Sequence, residues 1–342
     1  MKKDIFRKVD NFKLTESVLS TTIYESGILN PLITVAIPTF KQQNQILKET
    51  IDNVLNQVDF KDFDIIVVDN YKCSDSETAK LMQQYEGTKV SYYQNNENIG
   101  MCGNWNRLYC LSKGKWVVML HDDDLLNKNY LKIITEVIEN HQNNFIHGIA
   151  VGQMDFYDSS EILNSIKSSM QDIQLLNITP KDLVWGNGLL RAPVGLCIKK
   201  TSMIELGGFS DNYYPSLDYH FYALFSQHYK LCKVSEVLGF HRNVNNTSSL
   251  EKTLAGHLVK DIAIRKQLAS TYYPIIWPLI LSILKYRQLR RVGSYKFIYD
   301  KNNDIDPKSF VEQNGIHITL FDELFGRFYE YIKLLWKRKN DI

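Results

Sequence analysis

Short apolar runs alternate with amphipathic stretches through the first 140 residues of the chain. The runs at 32–37, 65–68 and 116–120 each end at a proline or a polar residue, which predicts buried strands. A weaker alternation at 89–93 predicts a further strand. Between the first two runs, apolar residues recur at the spacing of one helix face: Ile46, Leu47, Ile51, Val54, Leu55 and Val58. This alternation of strands and helices predicts an α/β sheet with helices on both faces.

Local signals predict the remaining elements of the first half. Ser74 and Glu77 have capping-box spacing, which predicts a helix running through Tyr85. Further helices are expected at 104–112 and from about Leu125 through Asn140. In an alternating fold with right-handed crossovers, the carboxyl ends of the strands meet at one edge of the sheet. We therefore expect 38–39, 69–70, 98–100 and 122–123 to converge on one crevice.

The second half of the chain is less regular. Short strands are predicted at 145–151, 195–198, 231–234 and 237–242, a helix at 217–228, and a long polar connection at 155–179. Residues 1–30 show no clear period, and the chain becomes helical and basic after about residue 250. These changes predict an N-terminal extension at 1–30, a main domain at 31–250 and a C-terminal helical region at 251–342.

The stretch 115–126, KWVVMLHDDDLL, combines a buried strand with three adjacent aspartates. Adjacent carboxylates repel one another, so holding Asp122, Asp123 and Asp124 together requires a compensating cation or a helix N-terminus. One interpretation is a divalent cation that is bound through oxygen atoms and shared with a diphosphate. The other is that Asp124 caps a helix beginning near Leu125 and the other two carboxylates are solvated.

Composition and charge narrow the classes of protein. There are 40 Lys and Arg residues against 38 Asp and Glu residues, and a net charge of +2 argues against a nucleic-acid binder. Five cysteines without a CxxC pair indicate reduced thiols and a cytoplasmic location. The N-terminus lacks the apolar core of a signal peptide, and the apolar run at 274–284 is too short to span a bilayer.

The last 70 residues carry aromatic and apolar residues beside basic clusters. The apolar run at 272–284 is followed by Lys285, Arg287, Arg290 and Arg291, and a later amphipathic helix ends in KRK at 337–339. Such faces suit peripheral attachment to the inner surface of the cell membrane or contact with a second subunit. The alternative is that these helices pack on the main domain and their charges are solvated.

Five segments, taken in order, resemble the inverting family 2 glycosyltransferases with the GT-A fold, of the kind that builds bacterial surface glycans. They are VAIPTFKQ (35–42), IIVVDN (65–70), NENIGMCGNWNR (96–107), VVMLHDDDLL (117–126) and GGFSDNYYPSLDYHFYALF (207–225). The resemblance covers about 31–249. It implies a Rossmann-like mixed sheet, here with the C-terminal helical region added, and a nucleoside-diphosphate sugar donor, most often a UDP-sugar.

The resemblance also implies roles for individual residues. Asp122 would contact the ribose, and Asp123 would bind Mn²⁺ or Mg²⁺, with His121 standing where many relatives carry another Asp. Eight further residues would bind the nucleotide, by contacting the base, by letting the backbone come close to it, or by meeting the phosphates: Pro38, Thr39, Phe40, Asp69, Asn98, Gly100, Asn104 and Arg107. The alternative for Asp69 is that it is an ordinary acidic residue in a turn, and the alternative for Arg107 is that it is an exposed residue of a helix.

In the second half, Asp218 matches the family's catalytic base, although relatives often show Glu-Asp where this chain has Leu217-Asp218. Asp211 is the rival, and either carboxylate could instead be a helix cap. His241 matches a late segment near the diphosphate and is expected as a phosphate or metal contact. Trp185, Asn187 and Arg191 could bind a sugar acceptor, or Trp185 could belong to the core.

Together these features predict a metal-dependent inverting glycosyltransferase that acts on a hydroxyl of a glycan or a lipid-linked glycan. A nucleotidyltransferase would also place carboxylates and a metal beside a nucleotide, but it normally has a glycine-rich basic loop after its first strand, and PTFKQQN contains no glycine. A noncatalytic nucleotide-sugar or glycan-binding scaffold would keep the fold and need no base.

Overall fold

The apolar runs of the sequence form the centre of one mixed sheet in the computed structural model, which describes residues 5–141, 145–159, 173–186, 189–243, 251–299 and 306–340. Within these ranges ten strands pair in the order β1-β4-β3-β2-β5-β9-β7-β10-β6, with β8 beside β10. The strands are β1 (Ser20–Tyr24), β2 (Ile33–Thr39), β3 (Phe63–Asp69), β4 (Val90–Asn95), β5 (Trp116–Met119), β6 (Leu125–Leu126), β7 (Ile146–Phe156), β8 (Leu175–Ile178), β9 (Leu196–Lys199) and β10 (Lys230–Arg242).

Strands β2 to β5 run parallel to one another, and every residue of β2 and β3 is buried. Burial on both faces is the reason that these strands read as continuous apolar runs. Strand β7 is parallel to β10, whereas the pairs β1–β4, β5–β9, β7–β9, β6–β10 and β8–β10 are antiparallel. The predicted mixed α/β sheet is confirmed.

Helices cover both faces of the sheet. They are α1 (Lys13–Glu16), α2 (Asn44–Leu55), α3 (Glu77–Met82), α4 (Gly100–Leu111), α5 (Tyr130–Asn140), α6 (Pro180–Trp185), α7 (Lys200–Leu206), α8 (Leu217–His228), α9 (Glu251–Tyr272), α10 (Trp277–Tyr299), α11 (Pro307–Gln313) and α12 (Leu320–Asn340). Alternate strand residues face two separate cores: Val35 and Val118 pack with α2, α3 and α5, while Ala36 and Val117 pack with α4, α8 and α9. This alternation follows from the two-residue period of a strand.

Several predicted boundaries were wrong for local reasons. The cap of α3 is Ser76, whose hydroxyl accepts from the Ala79 N–H at 3.0 Å, rather than Ser74. No helix begins at Leu125, because Leu125 and Leu126 pair with β10 as β6, and α5 starts only at Tyr130. The two strands predicted at 231–234 and 237–242 are one strand, β10, with register shifts between those segments.

The N-terminal segment contributes to the sheet, which its sequence did not indicate. Strand β1 pairs with the edge of β4, and the buried Tyr24 donates its hydroxyl to the Met82 carbonyl at 2.6 Å. The Arg107 guanidinium donates to the Thr15 and Val18 carbonyls and so holds the preceding turn. An edge strand with mostly exposed residues has too little apolar alternation to be recognised in a sequence.

The predicted C-terminal helices are present, while the division of the chain at residue 250 stays a prediction. Ile264, Leu268 and Ala269 of α9 pack into the core beneath α8. A small third core joins α9, α10 and α11 around Leu258 and Phe310. Among the described residues no helix is long and apolar enough to cross a membrane.

Tyr24→Ala should lower the free energy of unfolding by about 3 kcal/mol or more, because it removes a buried aromatic side chain and leaves the Met82 carbonyl without its donor. Urea unfolding followed by circular dichroism would measure the change. Ile23→Ala, on the half-exposed neighbour in the same strand, is the control and should change stability by less than about 0.5 kcal/mol. Equal effects of the two changes would mean that β1 is not part of the cooperative fold.

Candidate active site

The carboxyl ends of the parallel strands meet in one crevice, as the topology predicted. After β3, the Asn70 N–H donates to the Thr39 carbonyl of β2 at 2.9 Å, and its side-chain amide donates to the Asn98 side chain after β4 at 2.8 Å. After β5, Asp122 accepts from the Gln42 side chain at 3.2 Å. These bonds join the ends of four strands into one continuous polar surface.

Asp69 lies fully buried at the base of this crevice. Its carboxylate accepts from the Tyr92 hydroxyl at 3.0 Å and from the Tyr71 N–H at 3.1 Å. Burial raises the pKa of Asp69 to about 7, and the nearby charge of Asp122 raises it further. Two donors therefore orient the carboxylate. Burial still makes its ionised form unfavourable unless a ligand donates to it.

An aromatic rim with a lysine borders the crevice beside Pro38 and Thr39. The exposed rings of Phe40 and Tyr71 meet edge to face at 6.2 Å between centroids. The Lys41 ammonium lies 4.4 Å from the centre of the Tyr71 ring and 5.4 Å from that of Phe40. The sequence-based assignment missed Tyr71 and Lys41, although both directly follow residues that it included.

The asparagine-rich loop after β4 has one part in the crevice and another in the protein interior. The Asn98 side chain accepts from the Gly100 N–H at 2.9 Å, and Gly100 has a positive φ of 72°, which glycine adopts readily. Asn104 is buried and bridges the Val68 carbonyl and the Asn95 side chain. The Arg107 guanidinium is engaged by the N-terminal segment, so the structure does not place it at the crevice.

Arg242, at the end of β10, organises the acidic loop. Its backbone N–H donates to the Asp124 carboxylate at 2.9 Å, and its Nε donates to the Asp123 carbonyl at 2.7 Å. The rest of the guanidinium pairs with Glu49 of α2 at 2.6 Å and lies 4.6 Å from the centre of the Phe156 ring. Asp124 therefore binds the neighbouring strand and does not cap a helix.

His121 is the second cationic group against these carboxylates. Its ring stacks on Trp105 at 5.3 Å, and Nδ1 lies 3.2 Å from the Asp124 carboxylate. Burial disfavours the charged ring, but Asp124 and the adjacent Asp123 and Asp122 outweigh it and raise the pKa of His121 to about 9. The Nε2 atom is buried without a hydrogen-bond partner among the described residues.

The acidic loop offers a set of donors that fits a divalent cation. One ligand atom each from His121, Asp123 and Asp124 lies within 4.8 Å of the others. Burial raises the pKa of Asp123 to about 7, with the charge of Asp124 as the next cause, so a cation would relieve the repulsion. Two carboxylates with an imidazole suit Mn²⁺ or another small divalent ion.

The structure brings the predicted metal contact His241 to a different partner. Its Nδ1 lies 3.1 Å from the carboxylate of Asp155, which also binds Arg191 at 2.5 Å. Asp155 is paired with His241 in the register of β7 and β10. Sequence reasoning missed Asp155, since it was assigned to a loop with no pattern.

Asp218 stands in the first turn of α8, half-buried. Its carboxylate accepts from the Tyr219 N–H at 2.7 Å. The pKa of Asp218 is raised to about 6, mainly by burial; the charge of Asp261 of α9 contributes to the rise, while the Tyr219 N–H and the charge of His121 oppose it. The carboxylate is thus electrostatically coupled to the acidic loop, whereas Asp211 is exposed in a short 3₁₀ turn.

The end of α6 and the residues that follow it lie between α8 and the C-terminal helices. The Trp185 carbonyl accepts from Arg265 at 3.2 Å and from Arg287 at 3.1 Å, and its ring stacks on Tyr329 at 5.7 Å. The Trp185 ring is therefore packed within the protein. The Arg191 carbonyl accepts from the Tyr222 hydroxyl at 3.0 Å. Asn187 lies outside the described residues.

Residues 34–194 match the family described as Glycosyl transferase family 2. The putative colanic acid biosynthesis glycosyl transferase WcaA of Escherichia coli is 29% identical over 104 residues, 30% of this chain and 37% of that protein. The GalNAc(5)-diNAcBac-PP-undecaprenol beta-1,3-glucosyltransferase of Campylobacter jejuni is 33% identical over 107 residues, 31% of this chain and 34% of that protein. The chain therefore spans little more than a third of these relatives.

Among solved structures, S. aureus TarS 1–349 in complex with UDP-GlcNAc aligns with a TM-score of 0.53. The alignment covers 87% of this chain and 91% of that one at 13% sequence identity. At this identity the likeness concerns the fold, and it confirms the GT-A architecture expected from the sequence.

Arg242→Gln should weaken Mn²⁺ binding by about 10- to 100-fold, because the loop that carries Asp123 and Asp124 loses the Nε–H bond to the Asp123 carbonyl and its connection to Glu49 of α2. Isothermal titration calorimetry with MnCl₂ would measure the change. Arg290→Gln, on an exposed arginine of α10, is the control and should leave binding unaltered. Unchanged affinity in a folded Arg242→Gln protein would show that the guanidinium does not organise a cation site.

Proposed function

We propose, from the match of residues 34–194 to the Glycosyl transferase family 2 model, that the protein transfers a sugar from a nucleoside-diphosphate sugar to a hydroxyl of a glycan or lipid-linked glycan during surface polysaccharide synthesis. The transfer inverts the anomeric configuration and depends on a divalent cation. The observation that carries this proposal is the meeting of the aromatic rim and the acidic loop at one sheet edge, with the carboxylate of Asp218 electrostatically coupled to His121 of that loop.

The donor nucleotide occupies the crevice at the ends of β2, β3 and β4. Phe40 and Tyr71 provide aromatic surface for a base, Asp69 provides an oriented acceptor for a ring N–H, and Asp122 faces the ribose. At Asn98 and Gly100 the nucleotide can approach the backbone closely, because Gly100 has no side chain. UDP is the first nucleotide to test, since the TarS structure that shares this fold was solved with UDP-GlcNAc.

Asp123, Asp124 and His121 are the residues that would hold the cation, and His121 would do so in its neutral form, so binding of the ion would displace the proton of its ring. When bound, a divalent ion neutralises the charge that develops on the departing diphosphate. The predicted partner of Asp123, His241, pairs instead with Asp155, and we propose that both belong to the rim of the crevice together with Arg191. Arg242 holds the loop in place through Asp123, Asp124 and Glu49.

Asp218 acts as the general base. Its pKa of about 6 leaves it mostly ionised at neutral pH and still able to accept a proton, which is the range that favours proton transfer. The acceptor oxygen loses its proton to this carboxylate as it bonds to the anomeric carbon, and the bond to the diphosphate oxygen breaks on the opposite face. One in-line displacement of this kind inverts the anomeric centre.

UDP with Mn²⁺ should raise the unfolding temperature of the protein, since a ligand at a hundredfold its dissociation constant stabilises by about 2.7 kcal/mol. Asp123→Ala should abolish the Mn²⁺-dependent part of the shift. Differential scanning fluorimetry with UDP, GDP, TDP and CDP, each with and without Mn²⁺, makes the measurement. Asp62→Ala, on an exposed acid before β3 at the opposite end of the sheet, is the control. The absence of a shift with every nucleotide would favour a scaffold that does not bind these donors.

Asp218→Asn should lower kcat by about 10²- to 10⁴-fold, because the amide cannot accept the proton, while nucleotide binding stays unchanged. In the unsubstituted protein, kcat/KM should rise tenfold per pH unit below about pH 6 and level off above it, since only the ionised carboxylate is active. Release of nucleoside diphosphate in a coupled assay measures both.

Asp211→Asn is the matched control for this change, because Asp211 was the rival base and lies exposed in the same segment. It should retain activity. Loss of activity in Asp211→Asn with retention in Asp218→Asn would exchange the two roles. Full activity in both would remove general-base catalysis by this segment from the proposal.

A further inference from the structure

One face of α12 is apolar and uncovered by any described part of the chain. Six of its side chains are between 47% and 70% exposed and follow helical spacing: Leu320, Phe321, Leu324, Phe328, Tyr331 and Ile332. We name these six residues the outer face of α12. Single exposed apolar side chains are common, but a continuous face of this kind marks an interaction surface.

The acidic residues of α12 all turn away from this face. Asp322 pairs with Lys285 at 3.3 Å, and it is almost fully buried. Glu323 pairs with Lys308 at 2.7 Å, and Glu330 pairs with Arg287 at 2.8 Å; both carboxylates are mostly covered. Each of the three anions is therefore used to attach α12 to α10 or α11.

The charged side chains of α12 that do face solvent are basic. Arg327, within the same turns as the outer face, has a side chain that is 66% exposed; its guanidinium lies 3.7 Å from the mostly covered carboxylate of Glu323. Lys333 is also exposed. An apolar helix face with basic residues and without exposed acids is complementary to an anionic lipid surface, where the apolar side chains enter the interface and the cations meet the headgroups.

We propose that the outer face of α12 docks the protein on an anionic membrane surface. A second copy of the chain fits this face less well. A two-fold contact is self-complementary, so it would bring Arg327 of one copy towards Arg327 of the other, and α12 has no exposed acid on this face to pair with them. Lipid phosphates supply the missing negative charge.

A second apolar patch lies at the start of α10 and supports the same orientation. Ile275 is 91% exposed, and Ile276 and Leu279 are nearly half exposed. The neighbouring Tyr273 packs on Trp185, as does Tyr329 of α12. Both apolar surfaces are therefore attached to the end of α6 through Trp185.

The end of α6 connects the docking surface to the candidate active site. Arg287 of α10 donates to the Trp185 carbonyl, and the hydroxyl of Tyr219, the residue that follows Asp218 in α8, donates to the Leu183 carbonyl of α6. If the proposed glycosyl transfer is correct, docking brings the acceptor side of the site to the membrane, where a lipid-linked acceptor resides. This last step rests on the proposed function, whereas the docking itself does not.

Co-sedimentation of the full chain with vesicles tests the docking without any donor or acceptor. The protein should sediment with phosphatidylglycerol vesicles and remain in solution with phosphatidylcholine vesicles. Leu324→Glu with Phe328→Glu should weaken vesicle binding by more than about tenfold, since two buried apolar side chains are lost from the interface. Arg327→Glu with Lys333→Glu should weaken binding to phosphatidylglycerol several-fold and reduce its salt dependence.

The matched control is Leu29→Glu with Phe145→Glu, which charges an equally exposed leucine and phenylalanine outside α12 and should leave vesicle binding unchanged. The docking proposal is overturned if the unsubstituted protein ignores both vesicles, or if the control and the α12 variant bind equally. A dimer in light scattering that dissociates on Leu324→Glu with Phe328→Glu, without vesicle binding, would assign the face to a second copy. Nucleotide-dependent thermal shifts in the same variants would be unaffected in every case, so the donor site is judged separately.

Discussion

The crowding of carboxylates at one sheet edge is the constraint on which the rest of the site depends. Asp69, Asp122 and Asp123 are all drawn to the ends of buried strands, and burial raises the pKa of each, with a neighbouring aspartate adding to the effect. Ionised groups in such a place require a counter-charge. Arg242 and His121 supply part of it from within the chain, and the donor set of the acidic loop leaves room for a cation to supply the rest.

The strand pairing in the second half of the chain is what places this counter-charge beside the acidic loop. Arg242 reaches the loop only because β10 returns beside β7 and receives β6 on its other edge. The same pairing prevents a helix from starting after Asp124, since residues 125–126 are used as a strand and the Asp124 carboxylate accepts a strand N–H. A long-range partner, over a hundred residues away in sequence, thus decides the local structure.

The sequence predicted what depends on local patterns and missed what depends on distant partners. The buried strands, the helix at 217–228 and the convergence of strand ends follow from apolar runs, helical spacing and handedness, so they could be predicted. The role of Asp124, the binding of Arg107 to the N-terminal segment and the pairing of His241 with Asp155 depend on which residue lies opposite in space. The sequences around strand β1 and around Tyr71 are too short or too polar to be distinguished from an ordinary loop.

The C-terminal helices also contribute to the electrostatic environment of Asp218. Asp261 of α9 raises the pKa of that carboxylate, while His121 of the acidic loop lowers it. Arg291 of α10 binds Asp261 at 2.8 Å, so the position of one helix influences the proton affinity established by another. Two sets of charges therefore act on Asp218, one in the acidic loop and one in the C-terminal helices. A change in how those helices are seated would alter the basicity of Asp218 without any contact with the donor.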